Sequence, residues 1–308
     1  MTLSTRDLVE AILARDIITR LKESGVSEEQ LAGIRAEYWK PEILEQLDPW
    51  SRRYLEGGHL WGDDPSTCGQ YLLDTLPPSS SVIDLGCGYG RDSLALAENG
   101  HNVLAVDISQ IAVLDAATQL EEAIKAGYAG VMRANFIRAP ILQGAFDAVS
   151  THRMFHLPDP REIKALTNRI AGVLKSKGTL VLSARSPEDF NPDQMDRIDA
   201  NTAVYKHRPT HRVNFYDEDR LIGVLSDRFT DFAFERGQEI ESIGNLDASG
   251  APIMSSYIRV VARKKTDAEF RSDRANGRNG GGNGNGNGDH GGGTGDADTT
   301  VATAPDVT

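Results

Sequence analysis

One short segment constrains the fold of this chain more than any other. Residues 81–85 are mainly apolar and β-branched, carry a carboxylate at Asp84, and have the composition of a buried strand. Glycines at 86, 88 and 90 follow at once, and an amphipathic run begins at Arg91. Glycine permits positive φ and close approach of the backbone to a ligand, and a helix N-terminus directs unpaired N–H groups to the same space. The segment therefore predicts a strand, a ligand-binding turn and a helix.

The rest of the central region predicts an α/β fold. Short apolar runs alternate with longer amphipathic ones between Val82 and Ser183, which is typical of βαβ units in a parallel sheet. The predicted strands are 82–85, 103–106, 130–134, 146–151, 179–183, 229–235 and 255–262, and the predicted helices 92–98, 111–126, 161–174 and 218–226. A polar connection without helical period joins the last two strands, so these should form an antiparallel hairpin. We expect a Rossmann-like, seven-stranded, mostly parallel sheet with this terminal hairpin and helices on both faces.

Two flanking regions differ in composition. Residues 1–57 carry apolar residues at helical spacing, broken by Gly25 and Pro41, and predict an N-terminal helical extension. This extension is either a packing element or homodimer face, or a lid over a substrate. Residues 58–265 form the main predicted domain, and residues 266–308, rich in Gly, Asn and Asp, predict a disordered tail.

The overall charge argues against some partners. Lys and Arg number 33 against 45 Asp and Glu, a net charge of −12, which opposes general nucleic-acid binding. The sequence shows neither a long apolar run nor a secretion signal, so we expect a cytoplasmic protein without a membrane partner. Cys68 and Cys87 have no metal-type spacing, and no metal site or disulfide framework is predicted.

The residues around the glycines indicate the class of cofactor. A dinucleotide fingerprint would need glycine at position 91, where this chain has Arg91, so NAD is disfavoured. Asp107 closes the next predicted strand, where a carboxylate can accept hydrogen bonds from two ribose hydroxyls. Asp84, at the same sheet edge, would repel a pyrophosphate but suits an ammonium group. A ribose together with an ammonium indicates S-adenosylmethionine.

Over residues 61–265 the chain resembles the class I S-adenosylmethionine-dependent methyltransferases, and among them the tellurite-resistance type. The resemblance rests on the segments 61–66, 84–93, 99–103, 107–109 and 260–265. It implies that Asp84 and the glycines lie along the methionine part of the cofactor, that Asp107 holds the ribose, and that residues 134–136 flank adenine. Asn135 stands where the family often has Asp, and an amide oxygen can still accept from the adenine amine.

The expected cofactor-binding residues are Trp61, Asp84, Gly86, Gly88, Gly90, Arg91, Asp107, Ile108, Asn135, Phe136 and Thr151. Two of these have an alternative role. Arg91 either faces the cofactor carboxylate or lies at the solvent-exposed end of its helix. Trp61 either covers the cofactor, as the resemblance implies, or belongs to the core.

The methyl acceptor should lie at the carboxyl ends of the strands. His152 and His156 follow the fourth strand and are candidate general bases, although either can instead bond the backbone. Arg153 and Arg185 are candidate substrate-binding residues at the same edge. Arg208 and His211 belong to a basic run at 206–212, which favours an anionic small molecule or else forms a solvated face paired with the acidic residues 217–219.

These features predict a methyltransferase that acts on a small molecule by direct in-line displacement. The alternative is a catalytically silent S-adenosylmethionine-binding regulatory or partner module. It is suggested by Gly244 and Asn245, which stand where members of the tellurite-resistance group carry a His-Arg pair for the acceptor, and by the additional helices.

Overall fold

The computed structural model describes residues 5–40, 44–242 and 249–279. The strands are β1 (Ser81–Leu85), β2 (Asn102–Asp107), β3 (Ala129–Arg133), β4 (Phe146–Thr151), β5 (Leu174–Arg185), β6 (Met195–Asp199), β7 (Thr202–Tyr205), β8 (Arg208–Asn214), β9 (Phe229–Ile240) and β10 (Met254–Lys264). The helices are α1 (Thr5–Glu23), α2 (Glu28–Tyr38), α3 (Pro49–Gly57), α4 (Thr67–Thr75), α5 (Arg91–Glu98), α6 (Gln110–Gln119), α7 (Glu121–Lys125), α8 (Ile163–Val173), α9 (Glu218–Leu225) and α10 (Asp267–Asn279).

The main sheet has seven strands in the order β3-β2-β1-β4-β5-β10-β9. Strands β1 to β5 pair in parallel, and β10 pairs antiparallel with both β5 and β9. The predicted fold class and terminal hairpin are therefore confirmed. The strand order reverses between β1 and β4, and open α/β sheets bind ligands in the crevice outside the carboxyl ends of the strands at such a point.

The two faces of the sheet bury separate cores. Val82 packs with the residues of α4 and α5, whereas Ile83 and Leu85 pack on the opposite side with those of α8 and α9. This is the period of two expected for a central strand. Both faces are covered, which explains why β1 is apolar except for Ser81 at its start and Asp84.

A second sheet lies in the long connection between β5 and α9. Strands β6, β7 and β8 form an antiparallel meander whose own small core includes Met195, Tyr205 and Phe215. The sequence pattern predicts no strands here, because the many basic and polar residues obscure the alternation of apolar and polar positions that is typical of strands. The predicted helix 111–126 also divides at Leu120 into α6 and α7.

The predicted tail from residue 266 is wrong at its beginning, since Asp267–Asn279 is helical. The reason is a capping box: the Thr266 hydroxyl accepts from the Glu269 amide, and Glu269 accepts from the Thr266 amide at 2.7 Å. Arg263 adds an ion pair to Glu269 at 2.8 Å. Residues 280–308, which include the densest Gly and Asn run of the predicted tail, lie outside the described residues.

The N-terminal extension packs onto the main domain. Leu8 of α1 and Leu55 of α3 share a buried cluster with Ile111 of α6. α1 also presents an exposed apolar row, Val9, Leu13 and Ile17, at helical spacing. The predicted homodimer through these helices stays a prediction. No helix within the described ranges is both long and apolar enough to cross a bilayer.

Candidate active site

A cavity opens at the carboxyl ends of the central strands. Its walls come from the glycine turn, the segment after β4, helix α3, strand β7 and the end of the β9 strand. Twelve of the residues predicted from the sequence line it: Trp61, Asp84, Gly86, Gly88, Arg91, Asp107, Ile108, His152, Arg153, His156, Arg185 and His211. The topology thus brings residues far apart in the chain to one site.

The glycine turn is tightly enclosed. Gly86, Gly88 and Gly90 have φ of 73°, 55° and 91°, a region in which side chains other than glycine are strained. A Cβ at position 86 would lie 2.8 Å from Met154 Cβ, and one at position 88 would lie 2.8 Å from Tyr54 Oη. A methyl group added at position 86 or 88 would therefore collide with other side chains of the protein.

Asp107 is held by the backbone around it. Its Oδ2 accepts from the Gly88 amide at 3.0 Å and its Oδ1 from the Ser109 amide at 2.8 Å. Burial raises the pKa of this carboxyl, against these backbone hydrogen bonds, which lower it. Each carboxylate oxygen retains acceptor capacity, so a cavity-lining Asp107 fits a ribose diol.

Asp84 and the start of α5 fit the opposite end of the same cofactor. Asp84 accepts from Ser93 Oγ at 2.7 Å, and burial with the neighbouring Asp92 raises its pKa to about 7. A cation beside it would favour the charged form, as an ammonium group does. Gly90 gives α5 no side-chain cap, so the first amides of the helix are available to a carboxylate. The residues therefore fit S-adenosylmethionine.

Trp61 and Arg91 form one structural unit. Arg91 Nη1 donates to the Trp61 carbonyl at 2.7 Å and to the Asp64 carbonyl at 3.3 Å. Trp61 Nε1 donates to the Glu241 carbonyl at 2.7 Å, and its ring stacks on Tyr89 with centroids 6.4 Å apart. Arg91 therefore holds the loop that carries Trp61 at the cavity wall.

Five predicted site residues are not among those that line this cavity, and their roles stay predictions. Asn135 is exposed, with its side-chain oxygen bonded to the Ile137 amide, and Phe136 is buried in the core. Thr151 is fully buried at the end of β4, and Gly90 faces Ala116. Arg208 lines two adjoining cavities instead. A local turn accounts for the position of Asn135, and burial accounts for the positions of Phe136 and Thr151.

The inner wall is a cluster of paired charges. Arg153 Nη1 binds Glu239 Oε1 at 3.0 Å, and Arg185 binds Asp189 and, at 3.1 Å, Glu241. Burial alone would raise the pKa of Glu239, but His152 and Arg153 lower it to about 2. Arg153 and Arg185 are thus already neutralised by carboxylates of this chain.

The two candidate histidines differ in their surroundings. His152 Nδ1 lies 2.9 Å from Ser183 Oγ and its Nε2 lies 3.2 Å from Glu239 Oε2, so both ring nitrogens face protein groups. His156 Nδ1 is buried without a hydrogen-bond partner among the described residues. Burial, with Arg185 and Arg153 nearby, lowers the pKa of His156 well below its usual value, so the ring is neutral at pH 7.

Sequence reasoning missed part of the site. Trp50, Arg53 and Tyr54 reach the cavity from α3, and Glu241 reaches it from the residue after β9. Glu239, near the end of β9, contacts the lining residues His152 and Arg153. The predicted strand had ended at residue 235. The alternation of residues 237–241 was the available signal, because Glu239 and Glu241 share one strand face. For α3, no signal in the sequence indicates which face of the helix meets the crevice at the glycine turn, which follows about thirty residues later in the chain.

Comparison with known proteins agrees with this geometry. Residues 82–178 match the model of a family described as a methyltransferase domain. A ubiquinone biosynthesis O-methyltransferase of Xanthomonas campestris is 35% identical to this chain over 117 residues, which is 37% of this chain and 47% of that protein.

Two further likenesses extend beyond the domain. A cypemycin N-terminal methyltransferase of a Streptomyces species is 34% identical over 166 residues, which is 53% of this chain and 58% of that one. One similar solved structure is described as concerning conversion of a disulfide bond into a thioacetal group during echinomycin biosynthesis. It superimposes with a TM-score of 0.52 at 15% identity and covers 71% of this chain and 91% of that one. The last shows a shared fold only. The chain spans about half the length of the curated relatives it matches.

Proposed function

We propose that the whole protein transfers a methyl group from S-adenosylmethionine to a small-molecule acceptor by direct in-line displacement. The observation that carries this is a single cavity that holds Asp107, Asp84 and the glycine turn on one wall and leaves the opposite wall to α3 and the second sheet. The bound cofactor supplies an electrophilic methyl group on a sulfonium. The role of the chain is to bind and align the reactants, and alignment alone lowers such barriers by ~7–11 kcal/mol.

Different residues of the cavity have different proposed roles. Asp107 is the proposed ribose ligand, and Asp84 with the first amides of α5 is proposed to hold the amino-acid end. Trp61, fixed by Arg91, and the buried Tyr54 form a further part of the cavity wall. The acceptor then occupies the part lined by His156 and Tyr205, where a small molecule fits and a folded macromolecule does not. The basic residues of the segment 206–212 favour an anionic acceptor.

Several finer assignments are proposals with narrower support. The sequence likeness to tellurite-resistance-type methyltransferases rests on residues 61–66 and 84–93, and Gly244 and Asn245 lie outside the described residues. A cytoplasmic location stays a prediction. A silent binding module is less well supported, because the named relatives above are methyltransferases.

Release of S-adenosylhomocysteine tests the proposed function. The protein is mixed with S-adenosylmethionine and a panel of small hydroxyl, amine and thiol acids, and product is measured for each. Formation above the rate without acceptor supports the proposal. Tight binding of S-adenosylhomocysteine with no product from any acceptor would favour the silent module.

For an acceptor that arrives protonated, we expect His156→Ala to lower kcat about 100-fold or more, within the range of general-base assistance. His152→Gln should lower it less, since both nitrogens of that ring already face Ser183 and Glu239. The affinity for S-adenosylhomocysteine, measured by calorimetry, should be unchanged in both variants. An unchanged kcat in His156→Ala would make that residue structural.

A further inference from the structure

The cations around the cavity fall into two groups with different partners. The inner arginines, Arg153 and Arg185, are bound by Glu239, Glu241 and Asp189. A cation that is already paired and buried attracts a further anion only weakly, because its charge is largely compensated. The inner arginines, both predicted from the sequence as substrate ligands, are therefore better described as part of the protein's own framework.

Arg53 lies outside that framework. It extends from α3 into the cavity, and its Nε is buried without a hydrogen-bond partner within the described residues. No carboxylate of the described residues lies at ion-pair distance from its guanidinium. Its guanidinium carbon instead lies 5.8 Å from the centre of the Trp50 ring and 5.9 Å from that of Trp61. A half-buried cation without a counter-ion is an anion-binding group.

The charge at this position is reinforced from the second sheet. Arg208 lines the two outer cavities, and Arg53 lies on the wall of those cavities and of the central one. His211 lies between them, with its ring 5.3 Å from Trp50 and 5.6 Å from Tyr205. Burial, together with the charges of Arg53, Arg185, Arg208 and His207, lowers the pKa of His211 to about 4. The carboxylates that line the two outer cavities are Glu56, Asp159 and Glu241, of which Asp159 is bound by Arg161 and Glu241 by Arg185.

The geometry points to Arg53, supported by Arg208, as the group that binds the carboxylate or phosphate of an acceptor whose planar body lies among Trp50, Trp61 and Tyr205. The proposed function enters only in naming this molecule the methyl acceptor. A guanidinium presents two parallel N–H groups to such an anion, and aromatic walls select a flat, apolar body. The acceptor class is therefore a small aromatic or conjugated acid.

Binding of matched probes tests this inference without requiring turnover. Benzoate, phenyl phosphate and benzamide are titrated by calorimetry into the free protein and into the protein with S-adenosylhomocysteine. We expect one of the two anions to bind at least ~10-fold more tightly than benzamide, as is usual when a charge-assisted hydrogen bond replaces a neutral one. Which anion binds more tightly distinguishes a carboxylate from a phosphate acceptor.

Variants identify the residue responsible. Arg53→Gln should abolish the preference for the anion, Arg53→Lys should retain part of it, and Lys125→Gln, at an exposed site on α7, should retain all of it. In NMR titrations the pKa of the His211 imidazole should rise in Arg53→Gln, which shows a local electrostatic change in a folded protein. Equal affinity for benzoate, phenyl phosphate and benzamide, or a preference that survives in Arg53→Gln, would overturn the inference.

The two proposals fail separately. If the probes show the expected preference but no acceptor yields S-adenosylhomocysteine, the anion site stands and the methyl-transfer proposal does not. If product forms with neutral acceptors as fast as with their acids, methyl transfer stands and the assignment of Arg53 does not.

Discussion

Asp107→Ala should lower the affinity for S-adenosylhomocysteine at least ~100-fold. The proposed ribose loses two hydrogen bonds to a charged acceptor, each worth about 1.5–3 kcal/mol, and every 1.4 kcal/mol is a factor of about ten. The carboxylate also fixes the glycine turn through the Gly88 amide, so the loss includes some order in the turn. Isothermal titration calorimetry measures the change directly.

Two controls accompany this variant. Asp107→Asn keeps one acceptor oxygen and should bind with intermediate affinity, whereas Asp74→Ala, at an exposed position on α4, should bind as the unmodified protein does. Thermal unfolding confirms that each variant is folded. Wild-type affinity in a folded Asp107→Ala would show that the ribose lies elsewhere.

Arg15→Ala should lower the free energy of unfolding by about 3–5 kcal/mol, because it leaves Asp115 charged and buried without its partner. Arg15 Nη1 of α1 binds Asp115 Oδ2 of α6 at 2.6 Å, and both side chains are only 6% exposed. Arg15 also bonds the Tyr54 carbonyl, which connects α1 to the helix at the cavity. Denaturant unfolding monitored by circular dichroism gives the change.

The double variant Arg15→Met, Asp115→Leu is the matched comparison. Replacing both charges by apolar groups of similar size removes the buried, unpaired carboxylate, so most of the lost stability should return. Asp16, which also bonds Arg15, is half exposed, so water can solvate its carboxylate when Arg15 is replaced. A double variant as unstable as Arg15→Ala would show that packing, and not the buried charge, accounts for the effect.

The main sheet was predictable because its signals are local. The β-branched run at 82–85, the alternating glycines and the carboxylate at 107 each fix a strand end or a turn within a few residues. Parallel topology then places strand ends at one edge, which brought twelve predicted residues into one cavity. Boundaries failed where pairing with a neighbour extends a strand, as in β5 and β9.

The remaining parts of the site depend on tertiary contacts. Which face of α3 meets the crevice is decided by Leu55 packing against α6, and the same packing brings Arg53 and Tyr54 to the cavity. The ion pairs of Arg153 with Glu239 and of Arg185 with Glu241 depend on the β9–β10 hairpin, whose length no local motif encodes. Composition indicated a basic segment correctly but did not indicate that Arg53, outside it, has no ion-pair partner among the described residues.

A crystal structure of the protein with S-adenosylhomocysteine tests the central claim most directly. The account predicts the ribose hydroxyls on Asp107, the amino-acid end beside Asp84 and the first turn of α5, and the sulfur facing the part of the cavity lined by His156. Ligand density at another surface, or a ribose turned away from Asp107, would contradict it.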